Sequence, residues 1–293
     1  MLSMNTPTTK TVTLHPIVKA LLTARDFIDE ATWKPQTDKQ KQFFMFYSAL
    51  VKELKNFSNE EIKGLASKDA KVLNAFLKEN NFDLKLDDFN SEEFGSVGIL
   101  KAAVSWLTKG KKVLRTYDEL NYEFACLSDA NTFQVFDTFY EYPVIRIKTV
   151  NEDEVFICKA NESFSELDLL SHASKIQQDI SQNNVQQKYE SVTFPCLKIK
   201  DEPDISWLKG LLLESNKPNN DYLISSAKQQ TKFEMDENGA KVESAAAVVM
   251  VRSCRVLKHL VIDDSAHVWI SRKNCDVPYF AARVEKDSWV KAQ

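Results

Sequence analysis

Glycine is scarce in this chain, with six in 293 residues. No Gly-rich phosphate cradle, Walker loop or Gly-x-Ser-x-Gly elbow is present, so nucleotide chemistry and elbow-type hydrolysis lack their sequence signals. The four histidines, His15, His172, His259 and His267, show no metal-ligand spacing. Five cysteines, Cys126, Cys158, Cys196, Cys254 and Cys275, are scattered and odd in number. That pattern argues against a disulfide scaffold or a zinc site and for free thiols in a reducing compartment. No apolar run reaches the length of a membrane span. Net charge is −4, which gives no basic bias toward nucleic acid or acidic membranes. The polar, Thr-rich start has no signal-peptide core, which points to a cytoplasmic protein. These absences lead to an expectation of no catalytic residues, no metal, no cofactor and no enzymatic activity. The sequons at Asn56 and Asn161 matter only in a secreted chain.

What is present divides in two. Residues 14 to 94 read as helical. Ile17, Leu21, Leu22, Ala24, Phe27 and Ile28 recur at helical spacing, as do Phe43, Phe44, Phe46, Tyr47, Leu50, Val51 and Leu54. Trp33-Lys34-Pro35 separates these two helices. Ser58-Asn59-Glu60-Glu61 has capping-box spacing and predicts a third helix. Ser67 to Leu77 predicts a fourth, with Ala70, Leu73 and Leu77 on its inner face.

From Gly98 the pattern turns to strands. Ile99 to Leu107 predicts one buried strand, and Val144–Ile147 with Val155–Ile157 a hairpin. Arg115 to Cys126 and Thr132 to Tyr140 are less regular. Ser163 to Gln182 predicts a helix, Tyr189 to Ile199 a strand, and Asp204 to Leu213 another helix. No linker or repeat divides the chain, so the expectation is a single α+β domain spanning 1–293.

The most unusual stretch runs from Phe233 to Val256. Phe233 and Met235 alternate with Glu234 and Asp236, as in a strand. Glu237-Asn238-Gly239 is a turn signal. A small apolar run follows, in which Ala240, Val242, Ser244, Ala246 and Val248 share one side of an extended chain. Lys241 and Glu243 fall on the other. Alanine-rich sequence also favours helix, and a segment with both options is a candidate conformational switch.

Glu237-Asn238-Gly239 with its small-residue run resembles the hinge and reactive-centre loop of serpins. Phe194-Pro195-Cys196-Leu197-Lys198-Ile199 is similar to a strand motif of that family, and Ile99–Trp106 to a central strand of its large sheet. Ala266–Arg272 and Tyr279–Val284 are similar to its closing strands. The likeness covers about Phe94 to the end; residues 1–94 form a divergent helical part. The resemblance implies helices packed around a large mixed or antiparallel sheet plus smaller sheets. It also implies an exposed reactive-centre loop over 237–258 in a sheet-rich part spanning 95–293. It implies a hinge made of Glu237, Gly239, Ala240, Val242, Ser244 and Ala246. It further implies a serine protease inhibitor, monomeric and without cofactor, whose partner is a trypsin-like serine or a cysteine protease. An extracellular location is open by the same likeness. Four positions differ from the family pattern: Gln229 and Ala102 stand where histidine and asparagine are common, Val242 where alanine is usual, and Glu243 puts a charge in the hinge run. The alternative is a non-inhibitory binding or effector protein on the same scaffold, cleaved as a substrate.

Counting from Gly239 along the family's loop length puts the scissile bond after Ser253. Matching the local sequence puts it at Arg252–Ser253, with Arg255 as a basic rival. Arg252 is preferred on chemistry, because a guanidinium can pair with a carboxylate at the base of a trypsin-like pocket.

Overall fold

The computed structural model describes residues 8–29, 31–136, 142–151, 153–160, 164, 166–182, 186–217, 221–240 and 258–292. The chain opens with strand β1 (Lys10–Val12), helix α1 (His15–Ile28), strand β2 (Ala31–Lys34) and helix α2 (Asp38–Glu53). Strand β3 (Ile62–Ser67), helix α3 (Ala70–Glu79), strand β4 (Gly95–Leu100) and the short β5 (Val104–Ser105) follow. Next come β6 (Lys111–Tyr117), β7 (Leu120–Leu127), β8 (Phe133–Phe136), β9 (Val144–Lys148) and β10 (Glu154–Lys159). Helix α4 (Glu166–Gln182) precedes β11 (Gln186–Gln187), β12 (Ser191–Pro195), β13 (Leu197–Asp201), β14 (Leu212–Ser215) and β15 (Tyr222–Leu223). The chain continues through β16 (Thr231–Met235) and β17 (Gly239–Ala240), and ends with β18 (His259–Val261), β19 (Ala266–Ser271) and β20 (Phe280–Val284).

Local chemistry explains the helices. Pro16 sits in the first turn of α1, where its fixed φ and missing N–H are tolerated. Thr37 and Gln40 close a reciprocal capping box at the start of α2. Gln40 is fully buried because its amide also donates to Trp207 O and Lys209 O, both at 3.0 Å. Asp69 caps α3 by accepting from Lys71 N. The predicted third helix does not form. Ser58 and Glu61 do make the reciprocal bonds of a box, but the turn then feeds β3. Pairing with β4 from Ile62↔Leu100 to Ser67↔Gly95 takes over from the weak local signal.

The largest sheet has seven strands in the order β1-β20-β19-β10-β9-β8-β11, and it contains the expected hairpin and closing strands. Every residue of β19 is buried. A four-stranded sheet, β18-β12-β7-β6, lies beside it. Its β6–β7 hairpin uses Asp118 and Glu119, both at positive φ, in the tight turn that sequence left irregular. Three further expectations are corrected. The stretch Tyr189–Ile199 is two strands, because Cys196 is the corner between the four-stranded sheet and β13. Asp204–Leu213 is a single 3-10 turn and a strand, broken by Gly210 at φ 76°. Val261 belongs to the four-stranded sheet, whereas Ala266–Ile270 belongs to the seven-stranded one.

The largest correction concerns the central strand. Ile99–Leu107 is not continuous: β4 ends at Leu100, residues 101–103 are irregular and exposed, and β5 begins at Val104. Nor do Ile99 and Phe233 share a sheet. Among the described residues β4 pairs only with β3, and β16 only with β13. The two pairs stand apart with a cleft between them.

Candidate functional site: a parted sheet and its hinge

The cleft is a cavity of about 660 Å³. Its floor is α1, through Pro16, Ile17 and Ala20; one wall is β4 and the other is the chain from Ser225 to Phe233. Side chains of Phe82, Leu84, Leu86 and Phe89 close the outer side. Strand β4 lies directly on the helix below it. A Cβ on Gly98 would fall 1.9 Å from Pro16 O and 2.7 Å from Ala20 N, so only glycine allows this approach.

Each wall therefore presents one strand edge with no strand partner among the described residues. A strand laid between two such edges can form ladder bonds on both sides. At roughly 1 kcal/mol net per bond, two bonds per residue offset an ordering cost of about 1–2 kcal/mol per residue. Apolar burial then decides the sign, since about 25 cal/mol is gained per Å² removed from water. With one edge only, ordering would win.

Just past the cleft-lining residues Ala102 and Phe233 comes the turn from Asp236 to Gly239. Asn238 N donates to Asp236 Oδ1 at 2.7 Å, and Asp236 N to Gly239 O at 3.0 Å. Gly239 has φ 130°, and a Cβ there would lie 2.4 Å from Val104 O. The turn is fastened to the strand beyond β4. Trp106 donates its backbone N–H to Asn238 O and its indole Nε1–H to Asp236 O, and Gly110 N donates to Glu237 O. One carboxylate oxygen of Glu237 is buried without a hydrogen-bond partner. From this turn β17 pairs antiparallel with β5, Gly239 opposite Ser105 and Ala240 opposite Val104.

Of the residues singled out by sequence, Gly239 and Ala240 are thus paired with β5 and Glu237 is bonded to Gly110, a few residues beyond Ala102 of the cleft lining. Val242, Glu243, Ser244, Ala246, Arg252, Ser253, Cys254 and Arg255 lie outside the described residues. Ala102 and Gln229 both line the cavity. Gln229 Nε2 donates to Thr13 O at 2.9 Å and also to Thr13 Oγ1, which ties the β16 side of the cleft to the residue before α1. The thiols of Cys158 and Cys196 are buried, and burial pushes both up to about 12, so neither is a nucleophile at neutral pH.

A second cluster reaches the cavity lining through Tyr279. Arg272 Nη2 donates to Glu61 Oε1 at 2.7 Å and Arg272 Nε to Asp153 Oδ1 at 2.9 Å. Its guanidinium lies 4.3 Å from the centroid of Phe57, and Tyr279 donates to Asp153 at 3.1 Å. Asp153 is 1 % exposed, and these bonds satisfy its buried carboxylate. Burial and the Asp153 charge hold the Tyr279 hydroxyl well above its ordinary range. The Arg272 bonds hold Glu61 below the usual carboxylate range. Sequence reasoning missed this cluster, because its members are spread over the whole chain. It also missed the roof, although Phe82, Leu84 and Leu86 alternate strictly with Asp83, Lys85 and Asp87.

No family profile matches the sequence. No curated protein matches it. Solved structures do. A highly specific serpin of the insect Tenebrio molitor is similar over 95% of this chain and 92% of its own, with a TM-score of 0.58 at 13% identity. Maspin is similar over 94% of this chain and 92% of its own, with a TM-score of 0.60 at 10% identity. Thyroxine-binding globulin, solved with thyroxine, covers 94% and 92% with a TM-score of 0.57 at 13% identity. With nearly the whole of each chain superposed, this protein has the serpin fold.

Proposed function

We propose that the chain is a serine protease inhibitor that works by loop insertion. The observation that supports this most is the pair of strand edges, β4 and β16, that have no strand partner among the described residues, with the hinge residues Gly239 and Ala240 already paired to β5. Continuing the Gly239↔Ser105 register sets Val242 opposite Ala102, Ser244 opposite Leu100 and Ala246 opposite Gly98. These three side chains would face α1, and the small Ser244 and Ala246 fall where β4 leaves least room. Glu243 would face Lys101 on the outer side. Lys63 is a second cation near Lys101, so a carboxylate beside them is favourable.

In this reading the loop presents Arg252–Ser253 to a trypsin-like enzyme. The enzyme's serine oxygen bonds to the Arg252 carbonyl carbon, the peptide bond breaks, and the Ser253 amine leaves with the C-terminal fragment. The freed strand then enters the cleft with the enzyme still esterified to Arg252. Strand addition of this kind is a general route to burying an exposed edge.

Incubation with a trypsin-like protease, followed by a denaturing gel and mass analysis, tests the reading. The expected result is a stable adduct and a released fragment beginning at Ser253, both abolished by Arg252→Ala and largely kept by Arg255→Ala. Cleavage at the same place and rate in the Arg252 variant, or a fragment beginning at Val256, defeats the bond assignment. One observation favours a second reading, a cleaved but non-trapping protein: the cleft is roofed, and insertion must displace that roof. Clean cleavage without adduct supports it.

A further inference from the structure

The roof is built in an unusual way. Asn81, at φ 64°, turns the chain out of α3 into an extended stretch whose residues alternate in burial. Phe82, Leu84, Leu86 and Phe89 pack toward Leu73 and Leu77 of α3 and Val97 and Ile99 of β4. The opposite face carries Asp83, Lys85 and Asp87, which are exposed.

This stretch makes no backbone ladder with the neighbouring wall. Side chains from that wall reach it instead. Lys232 Nζ donates to Asn81 O at 2.8 Å, Asp83 N donates to Gln230 Oε1 at 2.9 Å, and Lys228 Nζ donates to Lys85 O at 3.2 Å. The contacts step by two residues along both segments in opposite directions, as an antiparallel pairing would. Each rung, however, is a side chain where a ladder would use a peptide group. Asp83 sits between Lys232 at 2.9 Å and Lys200 at 3.0 Å, and Asp87 lies 3.4 Å from Lys228. On the helix side, Asn74 satisfies both backbone groups of Leu86, at 2.8 and 2.9 Å.

We propose that residues 81–89 are a releasable strap across the cleft, latched to its far wall by Lys228, Gln230 and Lys232, and that unlatching limits how fast a strand can be admitted. The proposal rests on reading the cleft as a strand receptor. Its logic is steric and electrostatic. A strand seated between β4 and β16 would direct alternate side chains onto the Val97 and Ile99 face that the strap's apolar residues cover. The two cannot both occupy that face. The strap is not held by a continuous ladder, and most of its rungs on the β16 side are charged, exposed and screened by salt. Its inner face is apolar enough to close the cavity when no strand is present. The latch is therefore strong enough to roof the cleft and weak enough to open without unfolding either wall.

The test uses the full chain with its loop uncut and a labelled, acetylated synthetic peptide of residues 240–250. Capture is followed on native gels, for the unaltered protein and for the Lys228→Gln/Lys232→Gln variant. The variant is expected to take up the peptide about fivefold faster, the scale of losing two exposed ion pairs. High salt should speed the unaltered protein and leave the variant nearly unchanged. Hydrogen exchange at Asp83 and Leu86 should rise on capture, which a merely structural role for the lysines does not require. Equal rates, with peptide entering both, overturn the strap while the cleft reading stands. Capture by neither protein overturns the cleft reading and the strap with it.

Discussion

The seven-stranded sheet and the parted walls around the cleft are built from similar apolar residues, yet they are opposites. In the first, β19 is flanked by β10 and β20 and all six of its residues are buried. Trp269 stacks on Phe156 with ring centroids 5.2 Å apart and planes at 4°. Nothing is left for another strand to add there. In the second, β16 alternates buried and exposed residues and has one edge without a strand partner among the described residues, and β4 is pressed onto α1 through Gly98. The lesson is that one chain can hold a finished sheet and an unfinished one, the first anchoring the second.

The comparison can be broken from either side. Arg272→Met should have the largest effect, because it strands the buried Asp153 charge. A loss of about 3–5 kcal/mol in urea unfolding is expected, and a loss under 1 kcal/mol would mean the cluster is ornamental. Trp269→Ala removes a fully buried ring from the finished sheet and should cost about 3–5 kcal/mol by the same assay. The cleft's own behaviour toward peptide should stay unchanged once the protein is folded. Gly98→Ala attacks the unfinished side, since its Cβ would meet Pro16 O. About 1–3 kcal/mol of destabilisation is expected, the usual range for overpacking, together with slower peptide capture. A gain in stability would refute the close approach of β4 and α1.

The smallest effect sharpens the comparison through pH. Glu61 is held below the usual carboxylate range by Arg272, so folding is favoured by its ionised form. That contribution is complete above the ordinary glutamate value and is lost as pH falls through the lower folded value. Glu61→Gln should therefore flatten the acid limb of stability between those two points and leave neutral pH differences small. An unchanged acid limb would mean the Arg272 bonds to Glu61 do not survive in solution.

Much of this was legible in sequence, for a physical reason. The turn at Glu237-Asn238-Gly239 could be found because Gly239 must adopt positive φ beside Val104, and few residues do so. Strands β9, β10, β19 and β20 could be found because their burial makes them continuous or alternating apolar runs. The third helix failed because Ser58 and Glu61 form the same bonds whether a helix or a strand follows. The break in Ile99–Leu107 was hidden, since Ala102 and Ala103 look buried in sequence but are exposed. The strap went unread because its alternation serves side-chain rungs and belongs to no strand. The Arg272 cluster joins residues more than two hundred positions apart, a distance no local pattern can cross.

On the proposed reading, the cleft takes the chain's own loop as a strand. Thermal unfolding of the protein before and after a single cut at Arg252–Ser253 addresses it directly. Filling both edges should raise the midpoint by several degrees or more, at about 2–4 °C per kcal/mol for a domain somewhat smaller than this one. An unchanged or lower midpoint after clean cutting would contradict the account.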